Sequence, residues 1–160
     1  MKKIILIGAG GHAHACIDVI ELSGHFKIAG LVEKDHTNSQ KNLGYPIIGT
    51  DDDLPDLRRD YEVALVTVGQ IKSAATRVRL FDMLSDLKYK LPVIVSPRSH
   101  VSRHSKAGAG TIIMHDVIVN ANAQIGKNCI INNKVLIEHD AVVGDHCHIA
   151  TGAIVNGEVT

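Results

Sequence analysis

The sequence predicts a Rossmann-like α/β domain over residues 1–95 followed by a parallel β-helix over residues 96–160, and three observations carry that expectation. An apolar run, KIILIG, opens onto a glycine-rich loop and a helical stretch. Apolar runs and helical patterns then alternate as far as residue 95. From residue 101 to the last residue the chain repeats every six positions without an insertion.

Residues 3–8 read as a buried strand, and the helical stretch from about His12 to Leu22 is stopped by Ser23-Gly24. A second strand over about Lys27 to Val32 ends at Glu33-Lys34-Asp35, and a third over Val63 to Val68 ends at Gly69. A helix between Ala74 and Leu87 and a short strand at Val93 to Val95 complete a βαβαβ-like pattern, with Pro92 and Pro97 marking the boundary to the repeat. The loop Gly8-Ala9-Gly10-Gly11-His12-Ala13 is close to G-x-G-x-x-G/A, whose backbone amides can hold a phosphate at a helix N-terminus. Glu33 stands 25 residues after Gly8, a loose fit to the acid that such folds set against a ribose. About 95 residues leave room for one mononucleotide-binding half, so the nucleotide part of a larger ligand is the expected occupant. The other reading is that these glycines only make a tight strand-to-helix turn.

Residues 101–160 divide into VSRHSK, AGAGTI, IMHDVI, VNANAQ, IGKNCI, INNKVL, IEHDAV, VGDHCH, IATGAI and VNGEVT. Every first position is Val, Ile or Ala, and every fifth is small or β-branched, from Ser105 and Thr111 to Ala153 and Val159. This is the pattern of a hexapeptide β-helix of the left-handed type, in which each hexad is a short strand plus a turn and three hexads complete one triangular coil. The first residue fills a narrow axis, and the fifth points inward where a ring would not fit. That explains why aromatic residues are 3% of the chain with no Trp, and it accounts for Cys129 and Cys147 at fifth positions.

With 17 basic and 17 acidic residues the formal charge is zero, which argues against a nucleic-acid partner. No apolar run approaches the roughly 18 residues of a membrane span, and Met1-Lys2-Lys3 leads into too short an apolar stretch for a signal peptide. A cytoplasmic protein is expected. Three cysteines without CxxC spacing indicate neither a disulfide framework nor a cysteine zinc site. His146 and His148 alternate as if on one strand, but no carboxylate or cysteine completes a usual triad with them, so no metal site is expected.

The chain resembles the bacterial sugar O- and N-acetyltransferases typified by sialic acid O-acetyltransferases and UDP-4-amino-sugar N-acetyltransferases. The resemblance rests on IILIGAGGHAHACIDVI, on VTVGQIKSAATR and on INNKVLIEHDAVVGDHCHIATGAIVNGEV. The last segment is the most specific: members carry an I-x-H-[DE] hexad with a second His nine residues after the first, here His139-Asp140 and His148. The resemblance implies an acetyl-CoA-dependent transferase of a surface-glycan pathway, usually a homotrimer. It implies that His139 is the general base, Asp140 its electrostatic partner, and that Asn132 and His148 position the acceptor or the acetyl group. In the first half it implies that Gly10, Gly11 and His12 approach nucleotide-sugar phosphates, while Glu33, Lys34 and Gly69 line the ribose and base pocket. Gln70-Ile71-Lys72 departs from the Asn or Asp that many members have after this glycine, so which nucleotide sugar is bound stays open.

The chemistry suits the residues independently. Acetyl transfer from a thioester needs a base for the attacking group, and an imidazole titrates near ~6.5. Neighbours on a straight strand point to opposite faces, so Asp140 helps His139 only if the hexad bends between them. His139 as an exposed turn residue and His12 as an exposed residue in the first turn of a helix are the plainer alternatives. Because the last hexad stops partway through a coil, the expectation is either a shortened chain with an incomplete acetyl-CoA groove or a groove whose missing surface another chain supplies. A catalytically idle sugar-nucleotide-binding or assembly module is the rival function, and a dinucleotide-dependent oxidoreductase ranks below it.

Overall fold

The structure, a computed structural model, describes residues 1–34 and 42–160; Asp35, at the expected end of the second strand, lies outside the described residues. The chain forms two compact units, Met1–Pro92 and Val93–Thr160.

The first unit contains β1 (Lys2–Ile7), α1 (Gly11–Ser23), β2 (Phe26–Val32), β3 (Ile47–Gly49), a 3-10 turn at Asp51–Asp53, α2 (Leu54–Asp60), β4 (Val63–Val66) and α3 (Ala75–Asp86). Its sheet is parallel throughout, in the order β3-β2-β1-β4. β1 runs inside the sheet, and Ile4, Ile5, Leu6 and Ile7 are all buried, which is why its sequence is continuously aliphatic rather than alternating. Ile5 and Ile7 join Val66, Leu80, Phe81 and Leu84 in one apolar cluster, so α3 is held by its buried stripe. Gly24, at φ +66, ends α1 by returning its N–H to the carbonyls of Ile20 and Glu21.

Two features join the carboxyl ends of β1 and β4. Gly8 has φ +113, and a Cβ there would lie 2.6 Å from Val68 Cγ2 and 2.8 Å from its backbone nitrogen, so only glycine lets the chains approach this closely. Thr67 Oγ1 donates to the Gly8 carbonyl at 2.8 Å. Arg77 on α3 is 1% exposed and donates through Nη1 to the carbonyls of Val66 and Val68 at 3.1 and 2.7 Å, satisfying acceptors that β4 leaves at its end.

In the second unit the strands are two residues each: β5 (Ile94–Val95), β6 (His100–Val101), β7 (Lys106–Ala107), β8 (Ile112–Ile113), β9 (Ile118–Val119) and β10 (Gln124–Ile125). The series continues with β11 (Ile130–Ile131), β12 (Leu136–Ile137), β13 (Val142–Val143), β14 (His148–Ile149) and β15 (Ile154–Val155). They stack into three parallel sheets, β13-β10-β7, β14-β11-β8-β5 and β15-β12-β9-β6, so the chain visits the faces of a three-sided prism in turn. Gln124 pairs with Val142, Ile130 with His148 and Leu136 with Ile154, each pair one coil apart. The interior holds first-position residues such as Ile113, Val119, Ile131 and Ile137, and fifth-position residues Val117, Ala123, Cys129, Val135 and Ala141. Burial pushes the Cys129 thiol up, as expected of an inert core cysteine.

The corners follow a strict rule. The fourth residue of each hexad from Gly110 to Glu158 has positive φ: Asp116, Asn122, Asn128, Lys134, Asp140, His146 and Glu158 lie between 53° and 63°, and Gly110 and Gly152 near 71°. Side chains stacked one coil apart bind these corners together. Arg98 donates to both oxygens of Asp116 at 3.1 and 2.9 Å, and Asn128 meets His146 Nδ1 at 2.9 Å.

Three expectations change. Val93 to Val95 does not complete the first half's pattern: Ile94 and Val95 pair with Ile112 and Ile113 as the first rung of the prism. The reason is visible in VSPRSH, residues 95–100, a further hexad with Val first and a small fifth residue. β3 and α2 occupy a stretch to which no element was assigned, since three residues of β3 and seven of α2 are too short for a clear period. His146 does not share a strand with His148, because it turns the corner at φ 59 while His148 lies in β14. Among the described residues no helix is long and apolar enough to cross a membrane.

The axial columns generate a prediction. Ala123 is fully buried at a fifth position between Ser105 and Ala141 of the adjacent coils, so Ala123→Leu is expected to cost about 1–3 kcal/mol through overpacking. A lowered thermal midpoint by circular dichroism, set against an unchanged midpoint for an exposed substitution such as Lys106→Gln, checks it.

Candidate active site

His139 leaves β12 at the third place of its hexad, and Asp140 follows at φ +60. The left-handed turn breaks the strand alternation, so consecutive side chains fall on the same side, and His139 Nδ1 lies 2.8 Å from Asp140 Oδ2. A carboxylate only accepts, so it holds the proton on Nδ1 and leaves Nε2 as the basic nitrogen of the neutral ring. The side chains are 60% and 44% exposed, so the pair is open to solvent and to a ligand. The Asp140 hydrogen bond raises the His139 pKa above the usual imidazole value, with Asp140, Glu138 and Glu158 adding charge of the same effect. The Asp140 carboxyl is held below the usual range, first by a hydrogen bond from Asn122 and then by that to His139.

Three residues frame this pair. Asn122, one coil earlier, donates through Nδ2 to Asp140 Oδ1 at 2.6 Å. Asn120 does the same for Glu138 at 2.8 Å. Gly157, one coil later, lies beneath the imidazole, where a Cβ would come within 2.9 Å of both Cε1 and Nε2. None of the three was anticipated, yet each stands 18 residues from His139, Asp140 or Glu138, a spacing the hexad period already contained.

Asn132 and His148 form a second pair, with Asn132 Nδ2 3.2 Å from His148 Nε2. Asn132 follows β11 at the corner leading to β12, whereas His139 follows β12 at the corner leading to β13. Within one chain the two pairs therefore occupy different edges of the prism, separated by the sheet β15-β12-β9-β6.

In the first unit the loop after β1 gathers the remaining residues. A Cβ on Gly10 or Gly11 would meet nothing within 4 Å, so the turn itself does not require glycine at either position, in contrast to Gly8. Gly10 is the N-cap of α1, with no side chain capping the helix and no acid in its first turn. His12 is half-buried, with Nε2 3.3 Å from Sγ of Cys16, whose thiol burial pushes up to about 12. Gly69 packs against His12, a Cβ there being 3.4 Å from that of the histidine, so the loop after β4 meets the first turn of α1. Glu33 accepts from the Ala9 N–H at 2.8 Å and from the Lys34 N–H at 2.9 Å, tying the glycine loop to the end of β2, while Lys34 is exposed. Among the described residues no group of three or more His, Cys, Asp and Glu side chains is placed to hold a metal ion.

A parallel α/β unit joined to a hexapeptide β-helix that presents a carboxylate-bound imidazole defines a class, the hexapeptide acyltransferases with an N-terminal α/β domain. Residues 3–84 match the PglD N-terminal domain family, and residues 122–157 match the bacterial transferase hexapeptide repeats. The chain belongs to the PglD family and is a sugar acetyltransferase with a left-handed β-helix. No curated protein matches the sequence significantly. A histidine-to-asparagine mutant of perosamine N-acetyltransferase from Caulobacter crescentus, in complex with CoA and GDP-perosamine, is 28% identical with a TM-score of 0.88, over 99% of this chain and 73% of that one. The acetyltransferase domain of PglB from Neisseria gonorrhoeae, in complex with acetyl coenzyme A, is 27% identical with a TM-score of 0.88, over 98% and 74%. PerB from Caulobacter crescentus, in complex with CoA and GDP-perosamine, is 30% identical with a TM-score of 0.82, over 92% and 68%.

Because the imidazole is exposed and able to swing, Gly157→Ala is expected to leave the fold intact and displace the ring. A displacement of about 1 Å would lower the acetyl-transfer rate by on the order of 10²-fold. An unchanged thermal midpoint together with the loss of thiol release from acetyl-CoA would show it.

Proposed function

We propose that this protein transfers the acetyl group of acetyl-CoA to the amine of a nucleotide-linked amino sugar, with His139 as general base. The observation that carries the reading is the exposed imidazole whose Nδ1 is committed to Asp140. Relatives of the same fold that bind CoA together with GDP-perosamine support it. Acetyl-CoA supplies the acetyl group as a thioester. His139 Nε2 accepts a proton from the acceptor nitrogen as its bond to the acetyl carbon forms, and returns that proton to the departing sulfur as the C–S bond breaks. Asp140 stabilises the imidazolium in between and keeps the ring in one tautomer.

The first unit is assigned the nucleotide part of the acceptor. Gly10 and Gly11 open the amide-lined N-terminus of α1 to the phosphates, His12 stands beside them, and Glu33, Lys34 and Gly69 line the ribose and base side. Asn132 and His148 are assigned to positioning the acceptor or the acetyl group. Their place on a different edge from His139 suits a homotrimer, in which a neighbouring copy brings one pair to the other. The outward residues of β9, β12 and β15 suit it too: Ile118 and Ile154 are 44% and 65% exposed and form an in-register apolar column with Leu136. The reaction is assigned to the cytoplasm, where acetyl-CoA is at hand, with a surface glycan as the destination of the product.

The test is to incubate the protein with acetyl-CoA and a panel of GDP-, UDP- and CMP-linked sugars, GDP-perosamine included, while following free thiol. Turnover confined to amino sugars is expected. Turnover with hydroxyl acceptors such as CMP-linked sialic acid would move the assignment to O-acetylation, and nucleotide-sugar binding without turnover would mark an idle module. His139→Ala should lower the rate by at least the ~10²-fold typical of a lost base. The base must be neutral to act, and Asp140 raises its pKa, so activity should be lost as pH falls through a value above the ~6.5 of a free imidazole. For the assembly, Ile154→Asp is expected to reduce the mass measured by light scattering from three chains to one.

A further inference from the structure

We propose that Asn122 is a positioning residue of the transfer reaction, holding Asp140 from the preceding coil so that Asp140 can hold the ring of His139. This rests on the reading of His139 as the base. Each oxygen of the Asp140 carboxylate has its own partner: Oδ1 accepts from Asn122 Nδ2 at 2.6 Å and Oδ2 from His139 Nδ1 at 2.8 Å. Two contacts fix the rotation of the carboxylate, where one would leave it free about its bond to Cβ.

The need for such a hold follows from exposure. With His139 and Asp140 60% and 44% exposed, water competes for every hydrogen bond between them, and exposed ion pairs contribute little by themselves. Orientation has to come from the scaffold. Asn122 is suited to this because it sits at a corner with φ 61, which asparagine tolerates, and the corner stacks directly on that of Asp140. The chemistry of the partner is equally specific. At the equivalent rung of another edge, Arg98 takes both oxygens of Asp116, an arrangement that neutralises the carboxylate and would leave no oxygen for an imidazole. A neutral amide takes one oxygen and leaves the charge in place. Glu138, the other acid next to the ring, is held by Asn120, so both asparagines of residues 120–122 keep the flanking carboxylates in fixed places.

The test compares Asn122→Gly, which removes the amide but accepts the corner's backbone, with Asn122→Asp, His139→Gln and the ladder control Arg98→Gln. The charged groups facing His139 are Asp140, Glu138 and Glu158, and none is altered in Asn122→Gly. The imidazole resonances are titrated by NMR, with His139 assigned by its absence in His139→Gln, and kcat and KM are measured with acetyl-CoA and GDP-perosamine. In Asn122→Gly the His139 midpoint is expected to fall toward that of a free imidazole, and kcat to drop on the order of 10-fold, the scale of losing a residue that orients a histidine, with the KM for acetyl-CoA unchanged. Asn122→Asp should lower kcat at least as far, through repulsion of Asp140. An unchanged His139 midpoint in Asn122→Gly, or an equal loss in Arg98→Gln, overturns the proposal even if GDP-perosamine is not turned over. Full activity in His139→Gln would instead overturn the reading of His139 as the base, and this inference with it.

Discussion

The second unit depends on one constraint, that from Gly110 to Glu158 the chain enters the left-handed region at every sixth position, mostly with residues that carry a Cβ. Such a corner costs roughly 1–2 kcal/mol for a residue with a Cβ, and seven non-glycine residues accept it between Asp116 and Glu158. The cost is offset by what the corner permits: strands only two residues long, a dry axis of Ile, Val and Ala, and side chains stacked close enough to bond one coil to the next. The same geometry makes the candidate site. Without positive φ at Asp140, His139 and its carboxylate would face opposite ways, and the imidazole would have no fixed tautomer.

In the first unit the glycines divide by physical role. Gly8 is demanded by the fold, since Val68 occupies the space a side chain would take. Gly10 and Gly11 have open space where a Cβ would go, so their absence of side chains leaves the start of α1 uncovered, as close approach by a ligand requires. The tight-turn reading of the glycine loop thus applies at Gly8, whereas the phosphate-binding role of Gly10 and Gly11 is the one proposed above. Glu33 belongs to this arrangement through the loop amide of Ala9, which makes it a brace of the turn as well as a candidate for the ribose.

Much was legible in the chain because periodic features need no tertiary information. The hexads, the small fifth residues and the aliphatic β1 each follow from a local rule, and the period carries across sixty residues. What escaped notice lacked a period or lay at its edge. β3 and α2 are too short to register, and Val95 reads as the end of the first half's last strand until the match of residues 95–100 to the following hexads is seen. Asn122 and Gly157 look like ordinary turn residues; only their distance of one coil from Asp140 and His139 ties them to the site.

The sequence by itself determined the architecture and placed an acid after His139, as it also does after His115, because both are written in spacing along the chain. Tertiary structure alone decided that the acid reaches the ring, that an asparagine one coil away holds the acid, and that Asn132 and His148 stand on another edge of the prism. Those outcomes depend on the direction in which each corner sends its side chain and on what lies in the coil above or below. Contacts between residues 18 apart exist only once the coils are stacked.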